Sequence, residues 1–257
     1  MAGAGAKVPG MLTRTLLAIA LGCCAPITAG AQPAQTPPKN LQVLPKDTPR
    51  PALIQRMREF SFALGVRCQH CHAGGDGISF DGVVFESDEK LPKQKARAML
   101  RLVDTINTSL LPQVPGRSQP PATVDCVTCH RGLAVPKTIE TVLLDTVARD
   151  GAAAAVRQYR DLRAKDALNG RYDFDEWRVN EVARVLVERK NVDAAIALLE
   201  MNGEFHPESA AIDMQLGDLF RARGDNARAL ARFRSVLQKE PANARAKRLI
   251  AELEAKP

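Results

Sequence analysis

Apolar positions along this chain recur every three to four residues over long stretches. No segment alternates strictly over six or more residues, as a half-buried strand would. From Pro51, the residues Leu53, Met57, Phe60 and Leu64 fall on one helical face, and Gly65 supplies a C-terminal stop. A glycine-rich loop, Gly74-Gly75-Asp76-Gly77, follows. A longer helix is predicted from about Lys93 to Leu110, with an apolar stripe of Ala96, Met99, Leu100, Val103, Ile106 and Leu110. Pro112, Pro115, Pro120 and Pro121 then mark a loop.

The second half repeats itself. Residues 176–209 align with 210–243 over 34 positions without a gap: Ala195 matches Ala229, Leu199 matches Phe233, Pro207 matches Pro241, and Val182-Ala183 matches Leu216-Gly217. The period and the small–large pattern resemble tetratricopeptide repeats. Small residues let paired helices approach closely, and the proline ends the second of each pair. Residues 141–168 and 244–254 are expected as flanking helices, the latter a cap over the last repeat. The expected fold class is all-α: a first domain with little regular structure beyond short helices, then a helical repeat domain. The expected divisions are 1–31, 32–50, 51–137 and 138–257.

Composition adds an export reading. Lys7 and Arg14 precede a short apolar run, Leu16 to Leu21, and Ala29-Gly30-Ala31 fits a small-residue cleavage site. Residues 1–31 are therefore expected to be a secretion signal, and the protein to be periplasmic or otherwise extracytoplasmic. A rival reading takes Ala20-Leu21-Gly22-Cys23 as a lipobox with Cys23 lipidated. Membrane association would then come through that lipid, or through a larger complex. Residues 32–50, rich in Pro and Gln, read as a flexible linker. The formal charge is +7; residues 51–137 hold 11 basic and 8 acidic groups, and residues 138–257 hold 20 of each. The cations are scattered rather than striped, so no nucleic-acid partner is expected.

The chemistry lies in two motifs of identical spacing, Cys68-Gln69-His70-Cys71-His72 and Cys126-Val127-Thr128-Cys129-His130. Each is C-x-x-C-H, the attachment pattern for c-type haem. Two thiols about one helical turn apart reach the two vinyl groups of one porphyrin, and the next residue gives an imidazole to iron. Two covalent haem c groups are expected, with His72 and His130 as proximal ligands. The alternatives are half of a zinc site, which needs four converging ligands, and a redox disulfide, which lacks its usual βαβ surroundings here. Candidates for the opposite axial position are few. His70 lies inside its own attachment loop and is expected to be solvated or to face a haem propionate. His206 is expected on the surface, and Met201 and Met214 read as repeat core. Met57 and Met99 remain, each on a predicted helix upstream of a motif.

The segment from Met57 to His72, MREFSFALGVRCQHCH, resembles the haem-binding segments of the tetrahaem cytochrome subunit of photosynthetic reaction centres. Residues 99–111 resemble the helix before that subunit's fourth haem, and Val124 to Leu133, VDCVTCHRGL, resembles the fourth segment itself. The resemblance covers about residues 51–137 and only the second half of the family's subunit. It implies Met57, eleven residues before Cys68, as distal ligand of the first haem. For the second haem the family's distal histidine has no counterpart, which leaves Met99, a ligand from elsewhere, or an open position. The implied activity is one-electron transfer with redox partner proteins, the repeats docking a partner or serving as a lid. A haem enzyme or ligand sensor with a five-coordinate second haem, and an assembly protein with structural haems, are the other classes. No photosynthetic role is carried over.

Overall fold

The structure, a computed structural model, describes residues 37–255. The predicted signal, the Cys23 alternative and the first residues of the linker lie outside the described residues. Their regular structure is helical apart from one two-residue β pairing. No described helix is long and apolar enough to cross a membrane.

Helix α1, Arg50–Leu64, starts on a proline in its first turn, where a missing N–H costs nothing. It ends at Gly65, which takes the left-handed conformation (φ 64°) and closes the helix by donating to the Phe62 carbonyl. A single tight turn, Cys68–His70, follows. Strands β1, Ala73–Gly74, and β2, Val83–Val84, pair antiparallel around the glycine-rich loop. Within that loop the Asp76 carboxylate accepts from the backbone N–H of Ile78 and of Ser79, both at 2.8 Å.

Helix α2, Leu91–Thr105, begins two residues earlier than predicted, again with a proline in its first turn. Its expected last turn is instead π-helical, Ile106–Leu110, running into a short turn, Leu111–Gln113. The cause is Pro112, which has no N–H for the carbonyl four residues back. Gln113 Nε2 bonds the Ser109 carbonyl at 2.6 Å, and Thr108 Oγ1 bonds that of Asp104 at 2.8 Å. The proline-rich loop then leads to α3, Cys126–His130.

The second half comprises α4, Ile139–Asp150, and α5, Ala152–Asp166, separated by Gly151. Then come α6, Glu176–Glu188; α7, Val192–Phe205; α8, Ala210–Ala222; α9, Asn226–Lys239; and α10, Ala244–Glu254. The starts of α6, α8 and α10 recur at an offset of 34 residues, as do both ends of α7 and α9. At Gly217 on α8 the close approach is plain: a Cβ there would stand 2.4 Å from the Phe233 ring of α9.

The apolar core lies almost wholly in this half, from Ile139 to Leu253. Among the described residues of the first half, only Ala63 and Ala73 are buried apolar residues. There α1 packs on α3, while α2 buries no residue. The Asp88 carboxylate gathers that half: Arg97 and Lys93 pair with it from α2, and Asn40 and Gln42 bond it from the proline-rich stretch. The bond from Arg97, then that from Asn40, holds Asp88 far below the usual carboxylate range. The stretch read as linker is thus fastened at Asn40 and Gln42.

Candidate functional site

At the first motif the chain leaves α1 through Gly65, passes Arg67 in extended conformation, and winds Cys68 to His72 into one turn. The backbone N–H groups of Cys71 and His72 both donate to the Cys68 carbonyl, at 3.1 and 3.0 Å. This turn is what draws both cysteines and the histidine to one locality. His72 Nδ1 lies 3.2 Å from the Phe85 carbonyl, and the Phe85 ring meets the imidazole edge-on at 5.1 Å. An Nδ1–H donated to that carbonyl leaves the Nε2 lone pair free. Burial first, and the Lys93 charge next, push the His72 pKa below its ordinary value. The neutral imidazole, which is the ligating form, is thereby favoured.

The second motif forms α3 itself. Asp125 caps it, with its carboxylate on the Cys126 N–H, while Thr128 Oγ1 accepts from the Asp125 N–H at 3.0 Å. This reciprocal cap stabilises a helix of barely more than one turn. Arg131 and Gly132 both take positive φ, 49° and 83°, and turn the chain back so that the Leu133 carbonyl meets His130 Nδ1 at 2.8 Å. His130 thus repeats the arrangement of His72: Nδ1 on a backbone carbonyl, Nε2 available.

The two motifs are joined. Gly132 N–H donates to the Ala63 carbonyl at 2.8 Å, and a Cβ on Gly65 would stand 2.1 Å from the Gly132 carbonyl oxygen. Gly65 precedes Cys68 by three residues, and Gly132 follows His130 by two, so one backbone contact sets the spacing of both sites.

The four thiols are free rather than disulfide-bonded. Burial first raises the pKa of Cys71 and of Cys126, with the neighbouring Cys68 thiol and the Asp125 charge, respectively, adding to it. Such thiols are not activated for disulfide exchange. Among the described residues no three His, Cys, Asp or Glu side chains converge as metal ligands, so a single zinc site built from both motifs has no geometry. Covalent haem, by contrast, fits the residues present. Both imidazoles offer Nε2, and the surrounding half has almost no core of its own. Phe62, Phe80, Phe85, Met99, Leu102 and Leu110 are exposed in it. Large flat apolar groups would cover such surface.

Met57 is half-buried on α1, and Met99 is 46% exposed on α2. Met201 is core, at 1% exposure, and Met214 packs on the core edge. His70 is exposed as expected. His206 departs from its expected surface position: it is half-buried after α7, and its Nε2 is shielded without a partner. The chain turns there because Pro207 stops the helix. The carbonyls of Phe85 and Leu133, which orient the imidazoles, carry no side-chain signal and are invisible to motif reading.

The fold and the two turns define a helical chain with paired C-x-x-C-H sites. Residues 78–168 match the family model described as Photosynthetic reaction centre cytochrome C subunit, and over that stretch the chain is similar to those cytochromes. The matched stretch takes in the second motif and runs on through α5, beyond the 51–137 span of the sequence resemblance; the first motif and α6 to α10 lie outside it. Among curated proteins none matches this chain.

Proposed function

We propose that this protein is an exported dihaem c-type cytochrome that passes single electrons between protein partners. The observation that carries the reading is the pair of C-x-x-C-H turns, each with its histidine Nδ1 on a backbone carbonyl, held side by side by the Gly65–Gly132 contact. Cys68 and Cys71, and Cys126 and Cys129, would form the thioethers; His72 and His130 would be the proximal ligands. Haem iron supplies a one-electron ferric–ferrous couple, tuned by its axial ligands. The chain fixes the two imidazoles rigidly, which keeps reorganisation small, and offers its exposed apolar side chains to exclude water from the rings. Met57 is proposed as distal ligand of the first site: it is half-buried on the helix that leads into that site. Met99 is the candidate for the second, on a helix that has no fully buried residue. The 34-residue recurrence supports tetratricopeptide-like repeats in the second half, a scaffold suited to docking a protein. Export rests on the charged and apolar pattern of residues 1–31.

Intact mass and a redox titration followed by absorption test this reading. The expected result is a mass exceeding the processed chain by two haems, haem stain retained after denaturation, and reversible one-electron waves. One haem or none would overturn it. Ligation of the second iron by Met99 or an open position there separates electron transfer from ligand binding, and carbon monoxide distinguishes the two. Reduced protein that binds carbon monoxide at one haem per chain fits the open site; a wholly low-spin, inert protein assigns Met99 or another ligand.

A further inference from the structure

One side chain ties the second motif to the helix before it. Asn107 stands in the π-helical turn, Ile106–Leu110, that follows α2. Its Oδ1 accepts from the Val124 N–H at 2.8 Å, and its Nδ2 donates to the Val124 carbonyl at 2.8 Å. The amide thus pairs with one residue's backbone as a neighbouring antiparallel strand would. Asn107 and Val124 are both half-buried, and Val124 is two residues before Cys126. Among the described residues no other hydrogen bond or ion pair joins residues 91–113 to residues 124–133. The Val124, Asp125 and Cys126 N–H groups are accepted in turn by Asn107 Oδ1, Thr128 Oγ1 and Asp125 Oδ1. The last two belong to the cap of α3, so Asn107 is the acceptor that comes from outside the motif.

The two sites differ in how a methionine is held near them. At the first, Met57 and Cys68 are eleven residues apart on a continuous helix and turn, so the backbone alone sets their spacing. At the second, Met99 and Cys126 are twenty-seven residues apart across the proline-rich loop. The Asn107 clamp closes that loop. Through it the path runs eight residues from Met99 to Asn107 and two from Val124 to Cys126, close to the spacing of the first site. Eight residues bring Met99 two turns back along α2, roughly 12 Å along the axis and about a quarter turn round it from Asn107. Met99, Leu102 and Ile106 follow one another at spacings of three and four and share a side of the helix, where Met99 and Leu102 are exposed. A π turn holds one more residue than an α turn and re-aims what it contains, which lets Asn107 reach Val124 beside this row.

We propose that Asn107 is the positioning residue of the second site: its clamp on Val124 sets α2 against the attachment helix α3, and Met99 thereby supplies the axial ligand opposite His130. The inference rests on the dihaem reading and deepens it. Met99 has a long, flexible side chain and is 46% exposed, and α2 has no fully buried residue. Packing therefore does not fix where its sulfur stands; the frame of the helix must. With so few apolar contacts in this half, two hydrogen bonds to one backbone residue supply that frame. A tie that only closed the proline-rich loop would leave the axial position indifferent to its loss.

The test uses full-length haem-loaded protein, with covalent haem counted by intact mass in every variant. Reduced protein is titrated with carbon monoxide, and ferric protein is scanned for the near-infrared methionine-to-iron charge-transfer absorption. Met99→Ala marks the carbon monoxide spectrum of the second haem. The wild type should lack that spectrum. Asn107→Leu, which removes both bonds at similar volume, should acquire it while keeping two haems. Its methionine-free fraction at the second iron should rise at least roughly tenfold, and the first haem should stay as it was. Asn107→Asp keeps the acceptor for the Val124 N–H but loses the donor, so it should show the same change to a smaller extent; it carries the test if the Leu variant fails to fold. Thr108→Ala and Gln113→Ala remove bonds that stay within the same segment, and should leave both irons as in the wild type. Asn107→Leu added to Met99→Ala should change carbon monoxide binding no further than Met99→Ala alone. A wild type that already binds carbon monoxide at the second haem would overturn the proposal. So would Asn107 variants that keep the methionine absorption intact, or that loosen both haems alike. A wild-type mass short of two haems fails the dihaem reading itself, and the mass reports this apart from any spectrum.

Discussion

Gly65 carries two demands that no other residue type meets together. Its φ of 64° lies in the left-handed region, and its missing Cβ makes room for the Gly132 carbonyl at 2.1 Å. Gly65→Ala should therefore cost about 2–4 kcal/mol, the sum of left-handed strain and a backbone clash that cannot rotate away. Thermal melting of the haem-loaded protein checks this, and a change below about 1 kcal/mol would mean the two motifs are not locked through this contact. Sequence reading identifies Gly65 as a helix stop but not as a spacer, because Gly132 is sixty-seven positions away and nothing local marks the pair. The same holds for four arginines that line one hollow beside the motifs. Arg58, Arg67, Arg131 and Arg171 read as scattered charges along the chain, and only folding gathers them. Met57 belongs to this scale too. Met57→His should lower the midpoint of one haem while keeping it low-spin, since a Met ligand favours ferrous iron more than His does. If neither potential moves in a redox titration, Met57 is a packing residue.

Periodicity proves most legible where a helix has a buried face and a clean stop. The α1 boundaries follow from Pro51 and Gly65, and the helix ends of α6 to α9 follow from an ungapped 34-residue repeat. It is least legible where backbone bonding changes within an apolar stripe, as at Ile106–Leu110, since the stripe continues while Pro112 removes the donor. Tertiary polar centres also escape it. Asp213 on α8 is buried, at 4%, yet bonds Lys239 at 2.6 Å, Ser235 at 2.6 Å and Arg232 at 3.0 Å, all on α9. Burial raises its pKa, but the bonds from Lys239, Ser235 and Arg232 outweigh burial and leave it below the ordinary value. A carboxylate depressed in the folded state contributes stability fully present above its unfolded pKa, and that stability is lost as pH falls through the acid range. Asp213→Ala should destabilise by about 2–3 kcal/mol at neutral pH, less than for a wholly buried pair because Lys239 is partly solvated. Urea melts at neutral and acidic pH check this. The variant should show a smaller acid loss than the wild type, and an equal acid loss would place the sensitivity elsewhere.

The two halves of the molecule differ in what holds them. The apolar core runs from Ile139 to Leu253, and α4 to α10 hold most of the helical residues. Among its described residues the first half buries only Ala63 and Ala73 as apolar residues, leaves α2 without a buried residue, and is held by polar ties at Asp88 and the glycine contact. Ties of that kind supply orientation, but little of the apolar burial that offsets chain entropy. Covalent haem would supply it, and because it stays attached its contribution does not depend on ligand concentration. The prediction is a sharp asymmetry on removal. A variant with Cys68, Cys71, Cys126 and Cys129 all replaced by Ala takes up no covalent haem. It should keep most of its far-ultraviolet helical signal and one cooperative melting transition, both carried by α4 to α10. Limited proteolysis followed by mass spectrometry should then cut within residues 50–137 while sparing 139–254. Loss of the whole helical signal would mean that the second half depends on the first, through contacts such as Arg171 at Gly132. Protection of 50–137 in the haem-free variant would mean that its polar ties suffice, and would remove the main physical support for the proposal that so short a stretch of chain carries two haems.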